Sequence, residues 1–315
     1  MGLLKDKVHQ RIIVKKKELD ESRPLPPMIV RKLQEQMQIE YTYNSNALEG
    51  NTLSARETQL VIQEGITVQG KSLREHLEAK NHPEAMIFVE NLSRREIEEK
   101  DVLEIHRIIF EGIDDNVGTY RKGQVRIAGA DFIPPPPEEI RSRITDLLDW
   151  LHENVEELRS IEIAAVFHHR FEQIHPFSEG NGRVGRLLMN CILLKHGYPF
   201  VVVLKDDRKK YYKALHDGDH GNLMPVVNFT ARCVERSLNL YLTAIGKRKQ
   251  VSILEASKDS RYDQKYLSLL ATKGTLDAYK IGRNYFTTVE ALREYTQNSS
   301  QSSKKKPHDE ESGKT

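Results

Sequence analysis

Between His175 and Arg186 the chain reads His-Pro-Phe-Ser-Glu-Gly-Asn-Gly-Arg-Val-Gly-Arg, and its surroundings narrow the fold sharply. Upstream, Ile163, Val166, Phe167, Phe171 and Ile174 recur at helical spacing and should face a core. Pro176 stops that helix, because a proline ring disfavours the helical conformation of the residue before it. Gly180 and Gly182 open backbone angles closed to other residues. Val184, Leu187, Leu188, Cys191 and Ile192 then step by three and four, so a second buried helix should begin at about Gly182. The expectation is two core helices joined by one glycine-rich turn.

That turn carries chemistry. Backbone N–H groups converge where a glycine-rich turn feeds a helix N-terminus, and the helix dipole favours negative charge there. Arg183 and Arg186 add forked donors suited to phosphate oxygens. Glu179 is an acid in a phosphate site, which makes sense if a cation lies between them; Mg²⁺ commonly binds through one or two carboxylates plus substrate phosphates. His175 has an ordinary pKa of about 6.5 and can take a proton from an incoming hydroxyl. Asn181 either orients a phosphate or fixes the loop. Glycine and asparagine also occur in plain helix–loop–helix turns, but that reading needs every position to coincide by chance. The adjacent His168 and His169 are read as packing or hydrogen-bonding residues.

The run fits the pattern H-x-F-x-(D or E)-G-N-G-R-x-x-R at every fixed position, and so resembles the signature of the Fic family. The resemblance implies a protein adenylyltransferase that moves AMP from ATP to a Ser, Thr or Tyr hydroxyl of a protein. It implies His175 as the base, Glu179 as the ligand of Mg²⁺ (or Mn²⁺), and Phe177, Gly180, Asn181, Gly182, Arg183 and Arg186 as nucleotide-binding residues. Far upstream, Ser45-x-x-x-Glu49-Gly50 is similar to the family's inhibitory motif, (S or T)-x-x-x-E-(G or N). There the glutamate pairs with the second arginine of the signature, here Arg186. A carboxylate in a guanidinium fork competes with a nucleotide phosphate for it. On its own, the segment reads as a helix from about Met28 ending at a Gly50 C-cap.

Gln124 to Ile127 and Asp131 to Ile133 flank Ala128-Gly129-Ala130, which suggests a hairpin. In the Fic family such a hairpin, the flap, pins the target by strand-like pairing. After Pro134 to Pro137, Ile140, Ile144, Leu147, Leu148 and Leu151 mark a helix. The segment Arg208 to Leu215 resembles the family stretch whose tyrosine lines the nucleotide pocket; Tyr212 is the choice there, with Tyr211 close behind.

The expected fold is mainly α: a Fic-type helical core with a short β-hairpin flap, plus a small C-terminal winged-helix-like α/β module. Residues 1–27 read as a lead-in and linker, 28–245 as the core with its inhibitory helix, 251–296 as the small module and 297–315 as a disordered tail. The module resembles winged or MerR-like helix-turn-helix units, with Lys280, Arg283 and Asn284 placed to reach phosphates, so DNA contact is one use for it. A formal net charge of +2 over 315 residues selects neither nucleic acid nor membrane as a partner. No run is long enough to span a membrane and no apolar leader core opens the chain, so cytoplasm is the expected location. Cys191 and Cys233 sit in apolar helical contexts and read as reduced core residues. AMP removal, another nucleotide, a homodimer, and a nucleotide-sensing DNA-binding regulator are alternatives compatible with these residues.

Overall fold

The computed structural model describes residues 2–127, 131–154, 159–281 and 284–304. The chain divides after Tyr241 into two compact units. The first is helical: α1 (Asp6–Asp20), α2 (Pro27–Leu48), α3 (Ala55–Glu64), α4 (Leu73–Leu92), α5 (Glu99–Phe110), α6 (Ile140–Asn154), α7 (Ser160–Ile174), α8 (Asn181–Lys195), α9 (Arg208–Asp219) and most of α10 (Met224–Ala244). No helix among the described residues is long and apolar enough to cross a membrane.

The α7–α8 pair forms the centre. Ile163, Phe167, Phe171, Val184, Leu187, Leu188 and Cys191 are buried along it, as their spacing predicts. The helix N-termini follow local rules. Ser54 and Ser72 cap α3 and α4, each accepting from a backbone N–H three residues on, where Glu57 and Glu75 return the bond. α2 begins with Pro27 in its first turn and ends with Glu49 as its C-cap; Gly50 follows at φ 103°. The end of α2 is thereby set beside the start of α8.

The N-terminal stretch is part of this unit rather than a separate lead-in. Ile12 and Leu19 on α1 are fully buried, and Lys15 and Arg11 meet Glu235 of α10 at 2.9 and 2.8 Å. The Leu4 N–H donates to Glu162 of α7. Ile12 and Leu19, seven residues apart, share one helical face, and Glu235 supplies the counter-charge a buried lysine requires.

The expected flap hairpin also differs. Its turn, 128–130, lies outside the described residues, and the flanking residues 124–127 and 131–133 form no strands. They run as irregular chain held at both ends by side chains: Arg121 donates to the carbonyls of Gly123 and Pro135, and Gln124 to that of Pro134.

The second unit contains β1 (Gln250–Ser252), α11 (Ile253–Lys258), α12 (Gln264–Lys273), β2 (Ala278–Ile281), β3 (Asn284–Thr288) and α13 (Val289–Lys304). Its antiparallel sheet has the order β1-β3-β2. Gly274 ends α12 in the left-handed conformation. Ile253, Ala256, Leu267, Leu270, Leu276 and Leu292 make its core. Of the residues expected to reach phosphates, Arg283 lies outside the described residues, and Lys280 sits over the Tyr285 ring at 5.3 Å. α13 continues to Lys304, into the stretch expected to be disordered; its Gln, Ser and Lys residues carry only modest helix penalties beyond an amphipathic first half. Residues 305–315 lie outside the description.

Candidate active site

The signature run is a helix end, a turn and a helix start. His175 caps α7 in the left-handed conformation (φ 50°, ψ 59°), the one non-glycine residue with positive φ among those described. Such a backbone costs energy and persists where surrounding contacts impose it. Two contacts do so here: the His175 carbonyl accepts from Arg121 Nε at 2.8 Å, and the Pro176 carbonyl accepts from the Arg121 N–H at 2.9 Å. On the ring, Nδ1–H donates to the Glu172 carbonyl at 3.3 Å, which leaves Nε2 as the proton acceptor. Burial and the nearby Arg121 charge lower the His175 pKa below its ordinary value, against the pull of the Glu172 carbonyl. The imidazole is therefore held neutral, as a general base requires.

Gly180 opens α8 at φ 83°, where any side chain would strike the Phe110 ring. Asn181 fixes the turn: its Oδ1 accepts from the Phe177 N–H and its Nδ2 donates to the Phe177 carbonyl, both at 2.8 Å. Of the two roles open to Asn181, the structure displays loop fixing. The Phe177 ring, expected to touch nucleotide, is fully buried and stacks on His106 at 3.9 Å, so its contribution is to the turn's shape. His106 in turn accepts from the Gly118 N–H at 2.9 Å and donates from Nε2 to the Glu179 carbonyl at 3.3 Å.

Both arginines are buried. Arg183 pairs through Nη1 with Glu78 of α4 at 2.8 Å and through Nη2 with Glu179 at 3.1 Å, and its guanidinium lies 4.6 Å from the Phe110 ring centre. Arg186 is 1% exposed. Its Nε donates to Ser45 Oγ (3.2 Å), and its Nη2 to the Ser45 carbonyl (3.0 Å) and to Glu49 Oε1 (2.8 Å). Ser45, Glu49 and Arg186 thus come together across 137 positions of sequence. Burial pushes the Glu49 carboxyl up, but the Arg186 charge and hydrogen bond outweigh it and hold the pKa below the ordinary value. Even so, Arg183 Nε and Arg186 Nη1 are buried without a partner. Two buried N–H donors beside a helix N-terminus form an incomplete anion site.

Gly182 stands where a side chain would collide with the Glu49 carboxylate and the Arg186 fork. Tyr212 is 39% exposed, and its hydroxyl pKa is raised first by burial and then by the Glu49 charge. Tyr211 is buried and shares a 2.6 Å hydrogen bond with His168 Nε2, so of the two tyrosines Tyr212 faces the open side. His169 meets Asp219 at 2.9 Å, consistent with a hydrogen-bonding role.

Glu179 is 48% exposed and is approached by Arg183 and by Arg74. Its carboxylate is a hard oxygen donor of the kind Mg²⁺ selects, and with solvent access it can exchange those guanidiniums for a cation. Asn181 has both its side-chain polar atoms committed, so phosphate and water would complete the cation's shell. The residues present fit Mg²⁺ or Mn²⁺ on these terms.

Three residues of the site have no role legible from their neighbours in sequence. Glu78 looks like a solvated helix position and His106 like an ordinary helical histidine, while Arg121 ends a Gly118-Thr119-Tyr120-Arg121 stretch that resembles Fic sequences but assigns the cation no partner. Only tertiary contact brings them to Arg183, Phe177 and His175.

A family model described as "Fic/DOC family" matches residues 96–193. A protein adenylyltransferase Fic from Nematostella vectensis is 34% identical over 254 residues, covering 75% of this chain and 59% of that protein. One from Drosophila willistoni is 36% identical over 219 residues, covering 68% of this chain and 44% of that protein. The chain thus spans about half the length of the curated relatives it matches. A crystal structure of a Fic domain containing signaling protein from Bacteroides thetaiotaomicron superposes with a TM-score of 0.69 at 32% identity, covering 76% of this chain and 97% of that one.

Proposed function

The chain belongs to the Fic/DOC family, and from that premise we propose that it is a protein adenylyltransferase held in a resting state by Glu49. The observation that carries the reading is the pair of buried guanidiniums on the first two turns of α8, each with an N–H left over, following a turn that opens with His175, whose Nε2 keeps its lone pair. The oxygens of a polyphosphate suit such donors.

In this reading a Ser, Thr or Tyr hydroxyl of a target protein attacks the α-phosphorus of ATP. His175 Nε2 takes the hydroxyl proton as the new O–P bond forms, the bond from the α-phosphorus to the bridging oxygen breaks, and pyrophosphate leaves. The α8 amides and Arg183 stabilise charge on the α-phosphate in the transition state. Arg186 positions the γ-phosphate, Tyr212 lines the nucleotide pocket, and Glu179 holds Mg²⁺ or Mn²⁺. That cation, when bound, neutralises phosphate charge. Glu49 blocks productive binding by occupying the Arg186 fork, which displaces the γ-phosphate and leaves the α-phosphate misaligned for in-line attack.

The test is transfer of label from α-³²P-ATP with Mg²⁺ to the protein itself and to added lysate proteins. Wild type should label weakly, Glu49→Gly strongly, and Glu49→Gly with His175→Ala not at all. Absence of label in every form, with ATP binding intact, refutes the ATP-transferase reading.

A further inference from the structure

Away from this site, Asp131, His216 and His220 each offer one metal-ligand atom, all within 4.8 Å of one another. We propose that these three side chains form a site for a divalent transition metal of the Zn²⁺ class, which fastens the segment after residue 130 to the C-terminal end of α9. His216 and His220 are one helical turn apart, so their rings stand on the same side of α9, 4.5 Å between centroids. His220 Nδ1–H donates to the His216 carbonyl at 2.8 Å. That bond fixes the tautomer and leaves Nε2 as a lone-pair donor, the arrangement that orients metal-bound histidines. The bare Nε2 lies 3.5 Å from Asp131 Oδ2, and His216 Nδ1 lies 3.9 Å from the same oxygen.

Bonds of about 2.0–2.1 Å around a tetrahedral ion put ligand atoms about 3.3 Å apart. The two separations to Asp131 therefore close with sub-ångström movement, and that between the histidine nitrogens, within 4.8 Å, with at most about 1.5 Å. Two imidazoles and one carboxylate, with the fourth position open to water, suit Zn²⁺ and its neighbours, whereas Mg²⁺ and Ca²⁺ select oxygen-only shells. His216 lies on the last turn of α9 and His220 is its C-cap residue, so two of the three ligands come from one helix end and binding orders only one further chain segment. Arg121 already holds that segment at the Pro135 carbonyl; a metal at Asp131 would add a second anchor at its start.

The test is Zn²⁺ titration of the untagged full chain against a chromophoric chelator, in excess Mg²⁺ so that the Glu179 position is occupied. His216→Ala and His220→Ala should each weaken the tightest site at least tenfold and Asp131→Asn severalfold. His152→Ala, an exposed histidine on α6, should leave it unchanged. These are exposed positions, and matched melting curves confirm that each variant is folded. A tightest site that survives in the His216→Ala/His220→Ala double variant overturns the assignment. Fastening is read separately by trypsin cleavage after the exposed Arg126: Zn²⁺ should slow it severalfold in wild type and not in His220→Ala. Equal cleavage with and without Zn²⁺ in wild type overturns the anchoring role.

Discussion

Replacing Glu49 by glycine should make the protein less stable and a better binder of ATP, both through Arg186. Glu49 sits at φ −94°, ψ 3°, which glycine adopts without strain, so the lost carboxylate adds to the about 0.4–1 kcal/mol that glycine's freedom in the unfolded chain costs. Removing one partner of a fully buried ion pair costs about 3–5 kcal/mol. Here the Glu49 side chain is 28% exposed and Arg186 keeps both Ser45 contacts, so about 1–3 kcal/mol is the better range for an under-satisfied charged donor. For a unit of this size that lowers Tm by roughly 2–12 °C. The same 1–3 kcal/mol no longer opposes a phosphate in the fork, which corresponds to about a 5- to 150-fold gain in ATP affinity. The assay is thermal melting of wild type and Glu49→Gly, alone and with Mg-ATP or Mg-ADP. The variant should melt lower without nucleotide, gain more from ATP than wild type does, and show little such advantage with ADP, which has no γ-phosphate. Equal stability, or equal gains from ATP and ADP, would refute the competition argument.

Three further outcomes follow from the same geometry. Labelling by Glu49→Gly should rise with pH along an acidic limb centred below about 6.5, because burial lowers the pKa of His175 and the neutral imidazole is the active form; an inflection above that value contradicts the assignment of His175 as base. Glu172 lies largely enclosed with Oε1 unpartnered, and burial pushes its carboxyl up to about 8. A folded-state pKa raised from the usual 4.5 means its neutral form favours the fold, so stability is lost as pH rises from about 4.5 to about 8. Glu172→Gln should therefore melt progressively higher than wild type across that window. The limit is about 4–5 kcal/mol by linkage, less what water reaching a side chain 17% exposed restores; a difference that does not vary with pH contradicts it. Arg121→Ala removes the donor to the His175, Gly123 and Pro135 carbonyls, and should cost about 1–3 kcal/mol and lower kcat while ATP affinity is retained, checked by label transfer against equilibrium nucleotide binding.

What was legible in the sequence was local. Pro176, Gly180 and the apolar spacing of Val184, Leu187 and Cys191 act within a few residues, so the turn between α7 and α8 could be read from them directly, to within one residue of the Asn181 start. The partnership of Glu49 with Arg186 spans 137 positions, and no periodicity encodes it; only resemblance to a known motif pointed there. Glu78 shows why the rest stayed hidden: a glutamate among charged neighbours on α4 reads as solvated, and its burial against Arg183 depends on how α4 packs on α8. Residues 1–27 read as a lead-in and linker because a basic stretch gives no sign of burial until Glu235 is brought to Lys15. The flap was expected as paired strands from residue type, yet carbonyl contacts from Arg121 and Gln124 hold its ends instead.

In the proposed mechanism Arg186 links stability to activity, because one buried guanidinium pairs with one of two anions. In this structure the Glu49 carboxylate is that anion; in the proposed active complex the γ-phosphate is. The exchange can be nearly balanced only if neither anion is sterically excluded, and Gly182 provides that condition, since any side chain there would strike Glu49 and the Arg186 fork. An effector that loosens the end of α2 by even 1–2 kcal/mol would shift the balance by roughly 5- to 30-fold. No new contact at His175 is needed for such a shift. In the proposed mechanism regulation acts through the helix carrying Ser45 and Glu49, while Asn181, His106 and Arg121 brace the loop that follows α7.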